Sequence, residues 1–305
     1  MIKYVIKRLL LAVITVFIVG TLTFFLMNMV PGGPFLSEKA ISPAAQKALE
    51  AKYGLDKPLF QQYVTYMTDA LHGDFGDSLK QRGRTVASII STKFPVSARV
   101  GGCAILLSLL IGIPLGCMAA LNRGKFLDSF ISVISTFGIA VPSFVICTLL
   151  MYFLGVHLKW LPTFGITSWK HYVMPVMALS FYPTAYIMRL MRSSLLDVLG
   201  QDYMRTTKAK GVSQFFALYK HALRNAILPV ITYLGPMTAY TLTGSFVVEK
   251  IFTIPGLGGE FIGSIGSRDY TIIMGTTIFL AALMVFMNVV VDIVYKLVDP
   301  RIKLK

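Results

Sequence analysis

Charged side chains are scarce in this sequence, and acidic ones are scarcer than basic ones. Asp and Glu number 14 and Lys and Arg 29 among 305 residues, so that 14% of the chain is charged. A soluble domain carries roughly 25% charged residues. A water-soluble globular chain is therefore excluded as the first interpretation. With 55% hydrophobic residues and a mean hydropathy of +0.69, the composition is typical of a chain embedded in lipid.

Cysteine is also rare, with three residues in the whole chain. Cys103, Cys117 and Cys147 all lie within apolar runs, where a thiol behaves as a small hydrophobic group. Their spacing fits neither a CxxC metal site nor a disulfide framework. We expect no structural metal and no disulfide.

Sequence signatures of catalysis and of nucleotide binding are missing. The chain has no G-x-x-x-x-G-K-[ST] loop to bind phosphates, no H-E-x-x-H and no G-x-S-x-G. We therefore predict that it is not an enzyme and that it binds no cofactor itself. Its net charge of +15 lies in short clusters between long uncharged runs. That pattern differs from the basic, aromatic-rich stripe of a nucleic-acid-binding protein, so membrane lipid is the expected partner and nucleic acid is not.

Long apolar runs dominate what is present. A helix needs about 20 apolar residues to cross the hydrocarbon core, because each backbone amide there needs an internal partner. Six segments qualify, which predicts an all-α polytopic membrane protein with six transmembrane helices. The predicted spans are Leu9–Val30, Val100–Leu121, Phe130–Val156, Tyr172–Met188, Ala226–Val248 and Thr271–Tyr295.

Lys and Arg near the span ends predict the orientation. Sixteen of them lie in the two terminal segments and in the connections after the second and fourth spans, against four in the connections after the third and fifth spans. This distribution places both termini in the cytoplasm. A cleaved signal peptide is the alternative for the N-terminus. The first apolar run is long for a signal peptide and ends in PGGP without an A-x-A-like site, so we expect it to be a retained span.

The sequence predicts three regions. Residues 1–93 would form the first span and an extracytoplasmic loop with short helices, 94–298 a five-helix core, and 299–305 a short cytoplasmic tail. In the loop, Ser42 can cap a helix that has Pro43 at its first position. A second stretch, PLFQQYVTYMTDALHG, has one apolar face. We interpret the loop as a small cap packed on the outer span ends, with a docking surface for another protein as the alternative.

A long connection after the fourth span, residues 189–225, is predicted to face the cytoplasm. It reads as a short polar helix over 201–210, a left-handed turn at Gly211, and a second helix capped by Ser213. Phe215, Phe216 and Leu218 cannot all be hidden on such a narrow unit. We therefore expect an apolar surface that a partner covers.

This connection resembles the cytoplasmic loop of ABC importer permeases. The E-A-A triplet of the general pattern is Arg205-Thr206-Thr207 here, and Arg224 stands where that pattern has a proline, while Gly211 and Leu223 follow it. The longer strings RTTKAKG and KHALRNAILPV are similar to the peptide-importing branch. Further segments resemble oligopeptide permeases in the same order: PGGPF, AKYGLDKP, HGDFGDS, FPVSARVG, VPSF, VVEKIFTIPGLG and DPRIK.

The resemblance implies a type I ABC importer permease fold in a bacterial cytoplasmic (inner) membrane. It implies a second homologous permease subunit, two ABC ATPase subunits that hold ATP and magnesium, and an extracytoplasmic peptide-binding protein. Oligopeptides are the implied substrate, with dipeptides or nickel as alternatives. The implied ATPase-coupling loop comprises Arg205, Thr206, Thr207, Lys208, Lys210, Gly211, Val212, Ser213, Gln214, Phe215, His221, Ala222, Leu223 and Arg224.

The segment IFTIPGLGGEFIGSIGSRDY contains too many glycines to predict a stable helix. We expect a loop that dips toward the pathway mouth, with Pro255, Gly256, Leu257 and Gly258 as an external gate. A plain surface loop is the alternative. A self-sufficient secondary transporter or channel is the competing function, but the intramembrane charges and inverted repeats typical of that class are not found.

Overall fold

The computed structural model describes residues 2–35, 42–213, 216–242 and 246–298. Across these ranges the chain is helical, and its β-structure is an isolated antiparallel bridge between Asp77 and Thr85. The α-helices are α1 (Ile2–Met29), α2 (Pro43–Lys52), α3 (Leu59–Leu71), α4 (Val86–Leu121), α5 (Phe126–Ala140), α6 (Ser143–Leu150), α7 (Lys170–Leu199), α8 (Asp202–Ala209), α9 (Leu223–Ala226), α10 (Leu228–Leu242), α11 (Phe246–Ile251), α12 (Leu257–Ser267) and α13 (Tyr270–Val298). Two π-helical segments are Met151–His157 and Ala217–Ala222.

The described chain divides into two compact units. One unit contains residues 2–97 and 255–285, and the other contains 98–254 and 286–298. The predicted tail, residues 299–305, lies outside the described residues.

In the part of the chain that the structure describes, three helices are long and apolar enough to cross a membrane: Leu10–Met29, Val86–Leu121 and Tyr270–Val294. They coincide with the predicted first, second and sixth spans, although the second begins well before the predicted Val100. The fourth predicted span lies inside the 30-residue helix α7. The six-span count itself stays a prediction.

The predicted third span, Phe130–Val156, is two helices and not one. The axes on either side of Val141 and Pro142 differ by 104°. Val141 is extended because the proline ring disfavours helical backbone in the residue before it, and Pro142 has no N–H to continue the helix. The VPSF string therefore marks a break in the span.

The glycine-rich segment after α11 forms a helix, α12, so the prediction of a loop was wrong. Leu257 is fully buried against Val86, Ile89 and Ile272. Its backbone N–H donates to Ser97 Oγ at 2.8 Å. Burial of this first turn outweighs the low helix propensity of glycine, which costs about 1 kcal/mol per residue.

The first unit contains the predicted cap helices. Ser42 Oγ accepts a hydrogen bond from Ala45 N at 3.3 Å, so the predicted N-cap is confirmed. On α3, Tyr63 packs beside Phe24 of α1, and its hydroxyl lies 2.7 Å from Thr21 Oγ1. Tyr63, Tyr66 and Ala70 of α3 pack against the cluster of Phe24, Met274 and Ile278. Four other apolar side chains of α3 are exposed: Leu59, Phe60, Val64 and Leu71. Packing as a cap thus accounts for one part of the apolar face, and the docking surface stays the alternative for the rest.

Helices α4 and α7 approach closely in the second unit because α4 has glycines four residues apart. A Cβ at Gly112 would lie 2.8 Å from Ile187 Cγ2, and one at Gly116 would lie 2.7 Å from Met188 O. No side chain fits at either position without displacing α7. This contact holds in place the helix that leads into the basic connection.

Candidate functional site

A helical hairpin follows α7 and contains the residues that the sequence singles out for coupling. Its first arm is α8, and its turn contains Gly211 with a φ of +76°. Among the described residues other than its two chain neighbours, none has a heavy atom within 4 Å of the place that a Cβ would occupy at Gly211. Glycine is therefore favoured here by the left-handed backbone conformation. Steric crowding is not the reason, because the described neighbours would leave room for a side chain. The predicted glycine elbow is confirmed.

The second arm begins at Ser213, as predicted. Ser213 Oγ accepts from Phe216 N at 3.4 Å, and its carbonyl accepts from Ala217 N at 2.9 Å. The arm then runs through the π-helical segment Ala217–Ala222 into α9. Gln214 and Phe215 lie outside the described residues.

The inner face of the hairpin is packed on the C-terminal part of α7. Met204 of α8 and Ala217 and Ala222 of the second arm are buried in the same cluster as Met191 and Leu195 of α7. Each fully buried side chain of methionine or leucine size stabilises such a contact by about 1.5–3 kcal/mol. The hairpin and α7 therefore form one packed body.

The two arms are also joined directly. Asn225 Nδ2 donates to Tyr203 Oη at 2.9 Å, which links the end of the second arm to the start of α8. Thr206 and Thr207 direct their hydroxyls back to carbonyls of α8, at 3.1 and 2.8 Å. These threonines therefore make contacts within their own helix.

The outer face of the hairpin exposes aromatic rings among cationic groups. Tyr203, Phe216 and Tyr219 are 40%, 49% and 58% exposed. Lys220 Nζ lies 5.0 Å from the centre of the Phe216 ring, a cation–π contact. Exposed rings of this size are a feature of surfaces that a partner covers.

The sequence-predicted coupling residues divide between the two faces. Ala222 is buried and Leu223 packs against the core cluster, whereas Arg205, Lys210 and Arg224 are exposed. His221 is partly buried, and the side chain of Lys208 lies outside the described part of the chain. The expected apolar surface includes Phe216, while Leu218 packs inward.

Sequence reasoning missed Tyr203 and Tyr219 as parts of this surface. Both are aromatic residues in a connection that is otherwise rich in charge. An aromatic residue within one or two positions of a Lys or Arg in this polar connection was the sequence signal that could have identified them.

The predicted external gate, Pro255 to Gly258, is the start of α12. Gly256, Leu257 and Gly258 are buried, and Pro255 is exposed. Gly256 is the N-terminal cap of the helix with an extended backbone. The segment is thus part of a packed helix start, and its role as a gate stays a prediction.

Long apolar helices, a proline-broken span and a cationic hairpin define a helical membrane protein of the multi-pass class. Residues 112–304 match the family described as binding-protein-dependent transport system inner membrane component, and residues 1–101 match the N-terminal region of such membrane components. The chain belongs to this family of ABC transporter inner-membrane permeases.

Relatives match over the full length of the chain. The dipeptide transport system permease protein of Bacillus subtilis is 47% identical over 304 residues, covering 100% of this chain and 99% of the relative. The oligopeptide transport system permease protein of Haemophilus influenzae is 40% identical over 305 residues, covering 99% of this chain and 100% of the relative.

A solved structure is similar in fold. In the inward-facing MetNI methionine ABC transporter, a chain aligns with a TM-score of 0.57 at 16% identity, over 69% of this chain and 96% of that chain. The predicted type I ABC importer permease fold is therefore confirmed.

Proposed function

We propose that this chain is one of two pathway-forming permease subunits of an ATP-driven peptide importer in the bacterial cytoplasmic membrane. The family assignment and the two full-length relatives named for peptide transport support this function. Oligopeptides are the proposed substrate. Dipeptides are the second candidate, since the Bacillus subtilis relative is named for dipeptides and has the higher identity.

One observation supports the proposed mechanism above the others: the hairpin of residues 202–226 has a fixed inner face and an exposed outer face. Its inner face packs with α7 in a common buried cluster. Its outer face offers Tyr203, Phe216 and Tyr219. A groove on an ATPase subunit would bind this outer face, and rotation of the groove would then turn α7 with the hairpin. Rigid-body motion of packed elements transmits changes in this way.

The proposed partners follow from this mechanism. Two ATPase subunits hold ATP and magnesium, a second homologous permease completes the pathway, and an extracytoplasmic binding protein delivers the peptide. Both termini and the hairpin face the cytoplasm. The described coupling surface is the outer face of the hairpin, with Tyr203, Arg205, Lys210, Phe216, Tyr219 and Arg224. Ala222 and Leu223 belong to the inner face and hold the hairpin on α7.

Reconstitution of the whole complex in vesicles tests the proposal. The measured quantities are uptake of a labelled dipeptide, uptake of a labelled pentapeptide, and ATP hydrolysis. We expect uptake to require ATP, magnesium and the binding protein, and to favour the pentapeptide. A preference for the dipeptide would select the second candidate. Uptake by this chain alone, without ATP, would instead identify a self-sufficient transporter.

A further inference from the structure

Three tyrosines form a continuous aromatic strip across two helices of the second unit. Tyr182 and Tyr186 lie one turn apart on α7, with ring centroids 6.1 Å apart and planes at 18°. Tyr186 continues the strip to Tyr233 of α10, with centroids 4.4 Å apart and planes at 38°. We call these three residues the tyrosine strip.

Tyr182 and Tyr186 lie on the side of α7 that faces away from the core cluster, whereas the ring of Tyr233 is partly buried against that cluster. Ile187 and Met191 are fully buried on the opposite side, where α4 approaches α7. Tyr182 is 47% exposed, and Tyr186 and Tyr233 are partly buried. Within the described residues of the second unit, the Tyr182 ring is thus left largely uncovered, and the rings of Tyr186 and Tyr233 are covered in part.

The hydroxyl groups of the strip distinguish among possible covers. Across the described ranges, none of the three hydroxyls makes a hydrogen bond. Lipid tails offer no hydrogen-bond partner, so three unsatisfied hydroxyls against lipid would be costly. A polar occupant gives the hydroxyls hydrogen-bond partners and can also pack on the faces of the rings.

A cationic side chain follows the strip on α7. Arg189 is exposed and lies three residues after Tyr186, on the same side of α7. Helix α10 contributes no charged residue. A ligand with a carboxylate at one end and amides along its length complements this arrangement.

We propose that the tyrosine strip lines the substrate pathway and contacts the peptide backbone during passage, with Arg189 directed to the peptide's terminal carboxylate. This assignment rests on the proposed function. A tyrosine offers a flat apolar face and a hydroxyl at a low cost in side-chain entropy. The hydroxyls contact backbone N–H and C=O groups, which every peptide has. The strip therefore binds peptides without selecting their side chains.

Photocrosslinking in the complete complex tests the assignment. The photoreactive residue p-benzoylphenylalanine replaces Tyr182 in one variant and Tyr233 in another, and a biotinylated tetrapeptide is the probe. Phe130 of α5 is the matched control, because it is an exposed aromatic residue (51%) outside the strip. We expect peptide adducts at 182 and 233 that excess unlabelled peptide removes, and none at 130. Adducts only with lipid or with the second permease, or equal adducts at 130, would overturn the proposal.

Transport measurements separate failure of the strip from failure of the proposed function. Uptake by the unmodified complex is measured first, and its absence would refute the peptide function itself. The triple variant Tyr182→Phe, Tyr186→Phe, Tyr233→Phe keeps the rings and removes the hydroxyls. We expect its uptake rate to fall by about threefold to tenfold. Normal uptake by a fully assembled triple variant would overturn the strip assignment alone.

A variant of Arg189 tests the role of the guanidinium separately. Arg189→Gln should lower the uptake of a tetrapeptide with a free carboxylate more than the uptake of the same peptide with an amidated C-terminus. An equal effect on both peptides would contradict the role given to the guanidinium.

Discussion

Arg192 of α7 donates two hydrogen bonds to the carboxylate of Asp128 in the first turn of α5. Nε lies 2.5 Å from Oδ1, and Nη2 lies 2.8 Å from Oδ2. The backbone N–H of Gly124 also donates to Oδ2 at 3.0 Å. Two-pronged pairs of this kind fix orientation as well as distance. Since the hairpin packs on Met191 and Leu195 beside Arg192, this pair connects the hairpin's body to the broken span.

Removing the carboxylate of this pair should destabilise the chain. We expect Asp128→Asn to lower the free energy of unfolding by about 1–3 kcal/mol, because Arg192 loses its ionic partner. The effect is smaller than for a fully buried pair, since the Arg192 side chain is 33% exposed. Thermal unfolding of the complex in mild detergent measures it. Asp197→Asn, at an exposed position of the same helix, is the control and should change little.

A double-mutant cycle shows whether the two residues act as a pair. The variants are Asp128→Asn, Arg192→Gln and both together. We expect the double variant to be less destabilised than the sum of the single variants, because neither residue is then left with an unpaired charge. Strictly additive effects would mean that the hydrogen bonds contribute nothing measurable.

Gly211 and Gly83 provide a matched pair for testing the elbow. Both have a φ of +76°, and at both the nearest described residues, apart from the two chain neighbours, leave the Cβ position clear by 4 Å. Valine at either site should therefore cost a similar strain of about 1–2 kcal/mol. We expect Gly211→Val to lower the peptide uptake per ATP hydrolysed several-fold, and Gly83→Val to leave that ratio unchanged.

The measurement uses vesicles with equal amounts of inserted complex. Uptake and ATP hydrolysis are recorded in the same sample. An equal ratio in the two variants would show that the elbow geometry has no special part in coupling.

Local chemistry explains which features could be predicted from the sequence. The Ser42 cap and the Gly211 turn depend on residues within three or four positions, so the sequence contains all the information. Spans such as α1 are equally local, since their apolar runs need no partner to be recognised. The Pro142 break was visible as a proline, but its 104° angle was not.

Features that join distant segments could not be predicted. Asp128 and Arg192 are 64 positions apart, and nothing in either segment indicates the other. Helix α12 contradicts glycine propensity because Leu257 is buried by α4 and α13, which are distant in sequence. The tyrosine strip likewise needs α7 and α10 side by side. In these cases contacts between segments that are distant in sequence determined the structure, and local propensity did not.

Thiol labelling should test the proposed orientation. Arg82 and Lys210 are exposed in the two connections that the proposal places on opposite sides of the membrane. After the native cysteines are replaced by serine, we expect a membrane-impermeant maleimide to label Arg82→Cys in intact cells, and to label Lys210→Cys only after permeabilisation. The reverse pattern would place the hairpin outside, where no ATPase could reach it.

Close packing of α4 on α7 leads to a prediction about two glycines on one helix. A Cβ at Gly116 would lie 2.7 Å from the carbonyl oxygen of Met188, whereas one at Gly102 would meet nothing within 4 Å. Gly116→Ala should destabilise the chain by about 1–3 kcal/mol through overpacking. Gly102→Ala should be neutral or mildly stabilising, because alanine favours helix. Thermal unfolding compares the two, and equal midpoints would contradict the close approach.

Asp269 has an anchoring role in the first unit. Asp269 is 1% exposed. Its Oδ2 accepts hydrogen bonds from Ser78 Oγ at 2.5 Å and from Lys80 N at 3.1 Å. Oδ1 accepts from Leu79 N at 3.2 Å and from Ile272 N at 3.3 Å. One carboxylate thus caps α13 and holds the segment 78–80 in place.

Asp269→Ala should release that segment while α13 stays folded. Loss of the cap and of the acceptors for buried donors should cost about 2–4 kcal/mol in all. We expect faster hydrogen exchange at the amides of Leu79 and Lys80 and faster proteolysis between residues 77 and 85. Asp77→Ala is the control, because its side chain is exposed. Asn at position 269 keeps one acceptor oxygen, so its effect should be intermediate; unchanged exchange in Asp269→Ala would mean that other contacts hold the segment.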